Sequence, residues 1–216
     1  MKEKIRIYNV ICIALFFLAL PQSIEQIVTQ FETNIRSIKS LQANFDHIYY
    51  DSSLSNPLKE KGVFYFQKPD FLKWEYNDPE KKIWLYKKGT FQFYIPEDKQ
   101  LYRGSISEQE HEAEILMILS GQSHLLDTYN VEWGPLSSNE KKAWEIKFTP
   151  KKESEDYTHI ILEISRKSLL IKRAVFFDWA GNKTEFQFSN IKTDLNLSED
   201  IFKLEVPPDV EIIEEF

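Results

Sequence analysis

The fold of this chain is constrained most strongly by a series of short segments in which apolar and polar residues alternate. Compact turn sequences join these segments. Between residues 60 and 105 the segments are EKGVFYFQ, FLKWEYN, KKIWLYKK, TFQFYIP and KQLYRGS, and the turn-forming separators are KPD, NDPE, KKG and PED. A period of two places successive side chains on opposite faces of a strand. Because connections this short join neighbouring antiparallel strands, the region predicts a β-meander.

Strands of the same kind occupy most of the remaining chain. The segment LQANFDHIYYD begins at residue 41, and further alternating segments run from residue 129 to residue 213. A sheet of about eleven strands does not stay flat, because the twist between neighbours accumulates and curls it. We therefore predict a mainly β fold with a helical lid (α+β), built as an incomplete, strongly curled antiparallel β-barrel of about eleven strands.

Two helical segments are available to cover the opening of such a sheet. After Ser23, a candidate N-cap, apolar residues recur at helical spacing over about four turns. They are Ile24, Ile27, Val28, Phe31, Ile35 and Ile38. A shorter and more apolar helix is predicted around ILMILS, with Gly121 at its C-terminal stop. We expect the N-terminal helix and this short central helix to form the lid.

The beginning of the chain differs from the rest. MKEKIR is positively charged, and the apolar run VICIALFFLAL that follows is shorter than the roughly 20 residues that span a bilayer. This pattern predicts a secretory signal peptide over residues 1–23 and a single domain over residues 24–216. Since LPQS is a poor cleavage site, an uncleaved anchor is the alternative. The one cysteine, Cys12, lies within the apolar run, so the mature domain would fold without disulfides.

Sequence signatures of catalysis are absent. The chain has no G-x-S-x-G, H-E-x-x-H, P-loop or G-x-G-x-x-G motif, and the spacing of its four histidines matches no metal-binding pattern. We therefore expect no enzyme activity, no catalytic residues, no metal site and no cofactor. The net charge of -7 argues against nucleic acid as a partner, because phosphates require a basic surface.

Three longer stretches follow one another in a distinctive order. SLQANFDHIYY comes first, and GVFYFQKPDFLKWEYNDPEKKIWLYKKGTFQFYIPEDKQLYRG follows it. FFDWAGNKTEFQFSNIKTDLNLSEDIFKLEVPPDVEI closes the chain with a D-x-x-G-x-x-T hairpin, and ILMILSG lies between the second and third stretches. Together, over residues 24–213, they resemble the LolA family of periplasmic outer-membrane lipoprotein carriers.

The resemblance implies a function and a set of partners. The function is that of a periplasmic carrier, which shelters the acyl chains of lipoproteins in an apolar cavity and moves them from the inner to the outer membrane. The partners are acylated lipoproteins, an inner-membrane lipoprotein-releasing transporter and an outer-membrane receptor, and we expect a monomer. The alternative is a periplasmic lipid- or lipoprotein-sensing interaction domain of the same fold, without transfer activity.

A lid latch is also implied by the resemblance. In the family, a basic residue immediately before a proline ties the sheet to carbonyl groups of a lid helix. That residue here is Lys68, and its expected partners are the carbonyls near Leu119 and Ser120. The best-studied family latch is an arginine, whereas a lysine is a point charge on a flexible stem. We therefore expect either that the closed form is held less firmly here or that the latch does not operate.

The aromatic content, 14% of the residues, indicates a large apolar surface. Leu72, Trp74 and Tyr76 share one face of a predicted strand, and the cavity tryptophan of the family corresponds to Trp74. The alternative is that these side chains fill a solid core. The predicted lipid-binding residues are Phe45, Phe64, Phe66, Leu72, Trp74, Tyr76, Trp84, Phe93, Leu116 and Leu119.

Overall fold

The computed structural model describes residues 22–104, 118, 124–134 and 142–214. Its helices are α1 (Ile24–Ser37) and α2 (Leu125–Thr128), with a 3-10 helix at Glu199–Phe202. Its strands are β1 (Ser40–Tyr50), β2 (Leu58–Gln67), β3 (Phe71–Asp78), β4 (Lys82–Lys87), β5 (Thr90–Ile95), β6 (Gln100–Gly104), β7 (Tyr129–Trp133), β8 (Ala143–Pro150), β9 (His159–Ser165), β10 (Ile171–Phe177), β11 (Lys183–Thr193) and β12 (Glu211–Glu214).

All of these strands belong to one open sheet. Its order is β12-β6-β5-β4-β3-β2-β1-β11-β10-β9-β8-β7. The two meanders predicted from the sequence, β1 to β6 and β7 to β11, meet where β1 pairs with β11 in antiparallel register. The predicted mainly β fold, with an incomplete and curled sheet, is therefore confirmed.

The last strand differs from the predicted pattern. β12 pairs with β6 in parallel register, with Ile212 opposite Leu101, and brings the number of described strands to twelve. The chain reaches this edge from β11 by a long connection containing the 3-10 helix, so it can arrive in the same direction as β6. Short turns, which enforce antiparallel pairing elsewhere, do not constrain this strand.

α1 begins and ends close to the predicted positions. The Ser23 hydroxyl accepts a hydrogen bond from the Gln26 amide, and the Gln26 side chain accepts one from the Ser23 amide, which completes a capping box. One apolar stripe of the helix is buried, as its spacing predicted. Residues 1–21 lie outside the described residues, so the signal peptide stays a prediction. In the described ranges, no helix is both long and apolar enough to cross a membrane.

The curl of the sheet is visible in contacts between distant strands. The Trp74 ring on β3 and the Phe186 ring on β11 lie 5.1 Å apart between centroids, although β2 and β1 separate their strands in the sheet. The concave face thereby closes around one large hydrophobic core, which includes the apolar stripe of α1. A smaller cluster of Phe71, Leu85 and Phe202 lies on the opposite face of β3 and β4, under the 3-10 helix.

Candidate functional site

Trp74 lies at the centre of an aromatic cluster on the concave face. Its ring centroid is 4.8 Å from that of Phe45, 4.5 Å from Phe64, 5.1 Å from Phe186 and 6.0 Å from Phe188. The Phe45 ring meets the indole edge-on, at an interplanar angle of 82°. Such tilted and edge-to-face arrangements are the favourable ones for aromatic pairs. The cluster therefore forms a continuous apolar wall from β3 to β11.

Six predicted site residues lie together in this core. The alternation on β3 places Leu72, Trp74 and Tyr76 on the concave face, whereas Phe71 packs under the 3-10 helix on the other face. β1 and β2 contribute the other three from the neighbouring positions of the sheet. The six buried residues are Phe45, Phe64, Phe66, Leu72, Trp74 and Tyr76. The structure thus gathers the side chains, while their binding of lipid remains a proposal.

Two predicted residues extend the aromatic surface outward. The rings of Trp84 and Phe93 are stacked at 4.1 Å, and Trp84 packs against the main core while staying half-buried. Phe93 is followed across the sheet by Tyr102, at 6.1 Å between ring centroids. The apolar floor therefore continues beyond the fully buried cluster, along β4, β5 and β6.

The central helix of the lid falls mostly outside the described residues. Leu116, Leu119 and Ser120 are among the residues that the structure does not describe, so their predicted roles remain predictions. Ile118 is described, and it is helical and buried in the same core as Trp74. This single position agrees with an apolar helix packed towards the concave face.

α1 occupies the concave surface in this structure. Ile27, Val28, Phe31 and Ile35 are all buried there, in the same core as the predicted lipid-binding residues. A small cavity of about 10 Å³ remains between the C-terminal end of α1 and the sheet, at the lower limit of the space that one water molecule needs. It is lined by Ile35, Leu41, Ala43, Phe64, Leu170, Ile171, Phe188 and Ile191. α1 therefore covers the fully buried part of the site, and a ligand needs α1 to move in order to occupy that part.

Lys68 ties the sheet to the end of α1. Its Nζ atom donates hydrogen bonds to the carbonyl oxygens of Ile35, at 3.0 Å, and Arg36, at 2.8 Å. These carbonyls belong to the last turn of α1, and the Ile35 carbonyl also accepts a hydrogen bond from the Ile38 amide at 3.3 Å. Partial burial lowers the pKa of Lys68, and the nearby positive charge of Arg36 lowers it further. The contacts found for Lys68 thus lie on α1, while those predicted at Leu119 and Ser120 fall outside the described residues.

A polar group of side chains borders the apolar wall beside Tyr76. The Tyr76 hydroxyl lies 3.3 Å from Nδ1 of His47, and the same nitrogen lies 3.2 Å from a carboxylate oxygen of Glu60. The other Glu60 oxygen pairs with the Lys82 ammonium. Partial burial alone would raise the pKa of Glu60, but hydrogen bonds and charges of His47 and Lys82 outweigh it, so this pKa lies below its ordinary value. We call His47, Glu60, Tyr76 and Lys82 the polar rim.

Sequence reasoning missed several residues of this site. Phe186 and Phe188 alternate cleanly on their strand, but only the curl of the sheet brings them to Trp74. Glu60 and Lys82 carried no motif, and their pairing depends on the register of three strands. Among the described residues, no group of three or more histidine, cysteine or acidic side chains is placed to hold a metal ion.

Known proteins show the same sequence pattern. The family model described as "Outer membrane lipoprotein carrier protein LolA" matches residues 36–205. A protein named outer-membrane lipoprotein carrier protein from Methylococcus capsulatus is 24% identical over 187 residues, covering 87% of each chain. One of the same name from Francisella tularensis subsp. novicida is 25% identical and covers 95% of this chain and 96% of its own.

Solved structures share the fold at lower sequence identity. An uncharacterized conserved protein from Thermus thermophilus superimposes with a TM-score of 0.58 at 16% identity, covering 90% of this chain and 100% of its own. The crystal structure of MucB gives a TM-score of 0.52 at 14% identity, covering 86% of this chain and 64% of that one. At such identities, the similarity concerns the architecture of the sheet.

Proposed function

Because the chain belongs to the LolA family of outer membrane lipoprotein carrier proteins, we propose that it shelters the acyl chains of lipoproteins on its concave aromatic face and carries them from the inner to the outer membrane. One observation carries the proposal. The apolar stripe of α1 lies on the same surface that the acyl chains would need, and Lys68 hydrogen-bonds the end of this helix. A removable helix over an aromatic wall suits a carrier that must both take up and release its cargo.

The energies involved are compatible with such an exchange. A triacyl anchor has on the order of 45 methylenes, and keeping them in water would cost about 36 kcal/mol. Burial of the four apolar side chains of α1 contributes about 6–12 kcal/mol in total. The acyl chains arrive from a membrane, where they are already out of water, so the net driving force for loading is small. The cost of displacing α1 therefore lowers the net affinity for cargo and favours its release.

The cellular setting follows from the same proposal. The protein is placed in the periplasm by its N-terminal signal peptide, receives acylated lipoproteins from an inner-membrane lipoprotein-releasing transporter and delivers them to an outer-membrane receptor. The signal peptide predicted over residues 1–23 would remove Ser23, which the capping box of α1 uses, so we now propose that cleavage occurs before Ser23. The mature chain then keeps the first turn of its lid helix intact.

Release of lipoproteins from cells tests the proposal. The chain from residue 22 to residue 216 is added to spheroplasts that are exporting lipoproteins, and triacylated lipoprotein is measured in the supernatant. We expect release in a complex with the protein. Phe93→Glu should reduce it by placing a charge on the concave floor, while Gln92→Glu, on the opposite face of the same strand, should not. A folded protein that releases no lipoprotein would contradict the carrier function and favour a sensing domain.

A further inference from the structure

The indole N–H of Trp74 is buried, and no described residue accepts a hydrogen bond from it. The side chain is 1% exposed, and its Nε1 atom has no hydrogen-bond partner in the described part of the chain. Buried donors in folded proteins are nearly always paired, because an unpaired one loses its bonds to water and gains nothing in return. An unpaired donor at the centre of the candidate site therefore calls for a partner that arrives with a ligand.

The described residues around Trp74 supply no strong acceptor. Its ring neighbours are four phenylalanines, and an aromatic face accepts a hydrogen bond only weakly. The Tyr76 hydroxyl, two residues along the same face, is engaged with His47 of the polar rim. A partner for the indole must then carry an acceptor and otherwise match an apolar wall. A carbonyl group at the head of a hydrocarbon chain has both properties.

We propose that Trp74 donates a hydrogen bond from Nε1 to the carbonyl oxygen of an ester- or amide-linked acyl chain when such a chain replaces α1 on the concave face. This inference rests on the proposed function and adds a specificity-determining residue to it. The donor selects acyl chains, which carry a carbonyl, over plain hydrocarbon chains of the same length.

The order of residues on β3 gives the ligand a direction. Leu72, Trp74 and Tyr76 run from the Lys68 end of the strand towards the polar rim. With its carbonyl at Trp74, an acyl chain has its polar head near the rim and its tail over Leu72, towards the C-terminal end of α1. The small cavity beside Ile35 lies on this path, because Phe64 and Phe188 line it and also contact Trp74.

Two matched probes distinguish the contribution of the carbonyl group to binding from that of the hydrocarbon chain. Binding of dioctanoylglycerol, which has two ester carbonyls, is compared with binding of the dioctyl ether of glycerol, which has none, to the chain from residue 22 to residue 216. We expect wild type to prefer the ester about three- to tenfold, the range of one net hydrogen bond. Trp74→Phe should bind both probes equally. Trp84→Phe, a tryptophan change on the next strand, should keep the preference.

A spectroscopic measurement on wild type makes the test independent of variant folding. The indole ¹H–¹⁵N signal of Trp74, assigned by its loss in Trp74→Phe or by through-bond experiments, should move downfield with the ester and not with the ether. An unmoved signal in ester-loaded protein, or an ester preference retained in folded Trp74→Phe, would overturn the inference. Equal binding of both probes by wild type would overturn the proposed hydrogen bond from Trp74 and would leave the carrier function intact. Binding of neither probe would overturn both.

Discussion

The Nζ atom of Lys68 lies 2.8 Å from the carbonyl oxygen of Arg36, so a side chain of the β2–β3 turn caps the last turn of the helix that covers the site. A second hydrogen bond reaches the carbonyl of Ile35, whose own side chain is buried in the core. One lysine therefore holds both the end of α1 and the backbone of a residue that fills the concave face.

Removal of this contact should loosen α1 without unfolding the sheet. In Lys68→Met we expect the amides of residues 27–37 to exchange hydrogen about fivefold faster, the effect of roughly 1 kcal/mol for a partly exposed charged donor. Lys68→Arg should restore protection, because a guanidinium can reach the same carbonyls. Lys39→Met, which removes an exposed lysine near the helix end, serves as the control. Equal exchange in Lys68→Met and wild type would show that the contact does not hold the helix.

Gly62 should tolerate no side chain. A Cβ atom there would lie 2.1 Å from the Glu75 carbonyl oxygen and 2.7 Å from the Phe45 ring, which lies beside Trp74 and Tyr76. We expect Gly62→Ala to lower the free energy of unfolding by about 2 kcal/mol, the range for an overpacked core. Chemical denaturation measures the change. Lys61→Ala, at the neighbouring exposed position, should change it by less than about 0.5 kcal/mol. A loss no larger than that of the control would mean that both the Glu75 carbonyl and the Phe45 ring can move aside.

Arg173 should stabilise the convex face through three carboxylates. Its guanidinium lies 3.1 Å from Glu145, 3.3 Å from Glu163 and 3.7 Å from Glu185, and the side chains of Glu145 and Glu185 are almost fully buried. We expect Arg173→Met to lower the free energy of unfolding by about 3 kcal/mol, because it leaves buried negative charges near one another. Adding Glu185→Gln should recover part of the loss, which thermal or urea unfolding can measure.

A matched exposed pair provides the control for Arg173. Lys99 and Asp209 form an ion pair in which both side chains are more than half exposed. Lys99→Met should change the stability by less than about 1 kcal/mol. If Arg173→Met costs no more than Lys99→Met, the three carboxylates on the convex face do not depend on the guanidinium.

The polar rim should make stability sensitive to acid. His47 and Lys82 lower the pKa of Glu60 below its ordinary value of 4.5 in the folded protein. Between the lowered pKa and the ordinary one, the unfolded chain therefore binds more protons than the folded protein. The stabilisation that ionised Glu60 contributes is therefore fully present above about pH 4.5 and is lost as the pH falls through the lowered pKa. The difference in melting temperature between wild type and Glu60→Gln should shrink on acidification. A constant difference across this range, or one unaffected by Lys82→Met, would contradict the assignment.

Much of this architecture could be predicted from local patterns. The spacing of Ile27, Phe31 and Ile35 predicted α1 and its buried stripe, and the alternation on β3 placed Trp74 on the concave face. Both predictions rest on the periodicity of a single element. The turn sequences between β2 and β6 predicted neighbouring antiparallel strands, since their length leaves no other pairing open.

The remaining features depend on relationships between distant elements. Phe186 joins the Trp74 cluster only because the sheet curls past two intervening strands. Lys68 precedes a proline and was expected to act as a latch, but its partners at Ile35 and Arg36 depend on where α1 ends above the sheet. The unpaired donor of Trp74 could not be predicted either, because it depends on the absence of an acceptor among the described residues that pack around it.

The central claim, that α1 and the acyl chains of a lipoprotein compete for one surface, can be measured as a distance. Cys12 lies outside the chain from residue 22 to residue 216, so cysteines introduced at exposed Gln30 of α1 and exposed Lys61 of β2 can be spin-labelled selectively. The distance between the labels is measured in the free protein and in its complex with a triacylated lipoprotein. A shift of the distribution to longer distances on loading is the predicted result. An unchanged distribution in the loaded protein would show that α1 stays in place and would contradict the account.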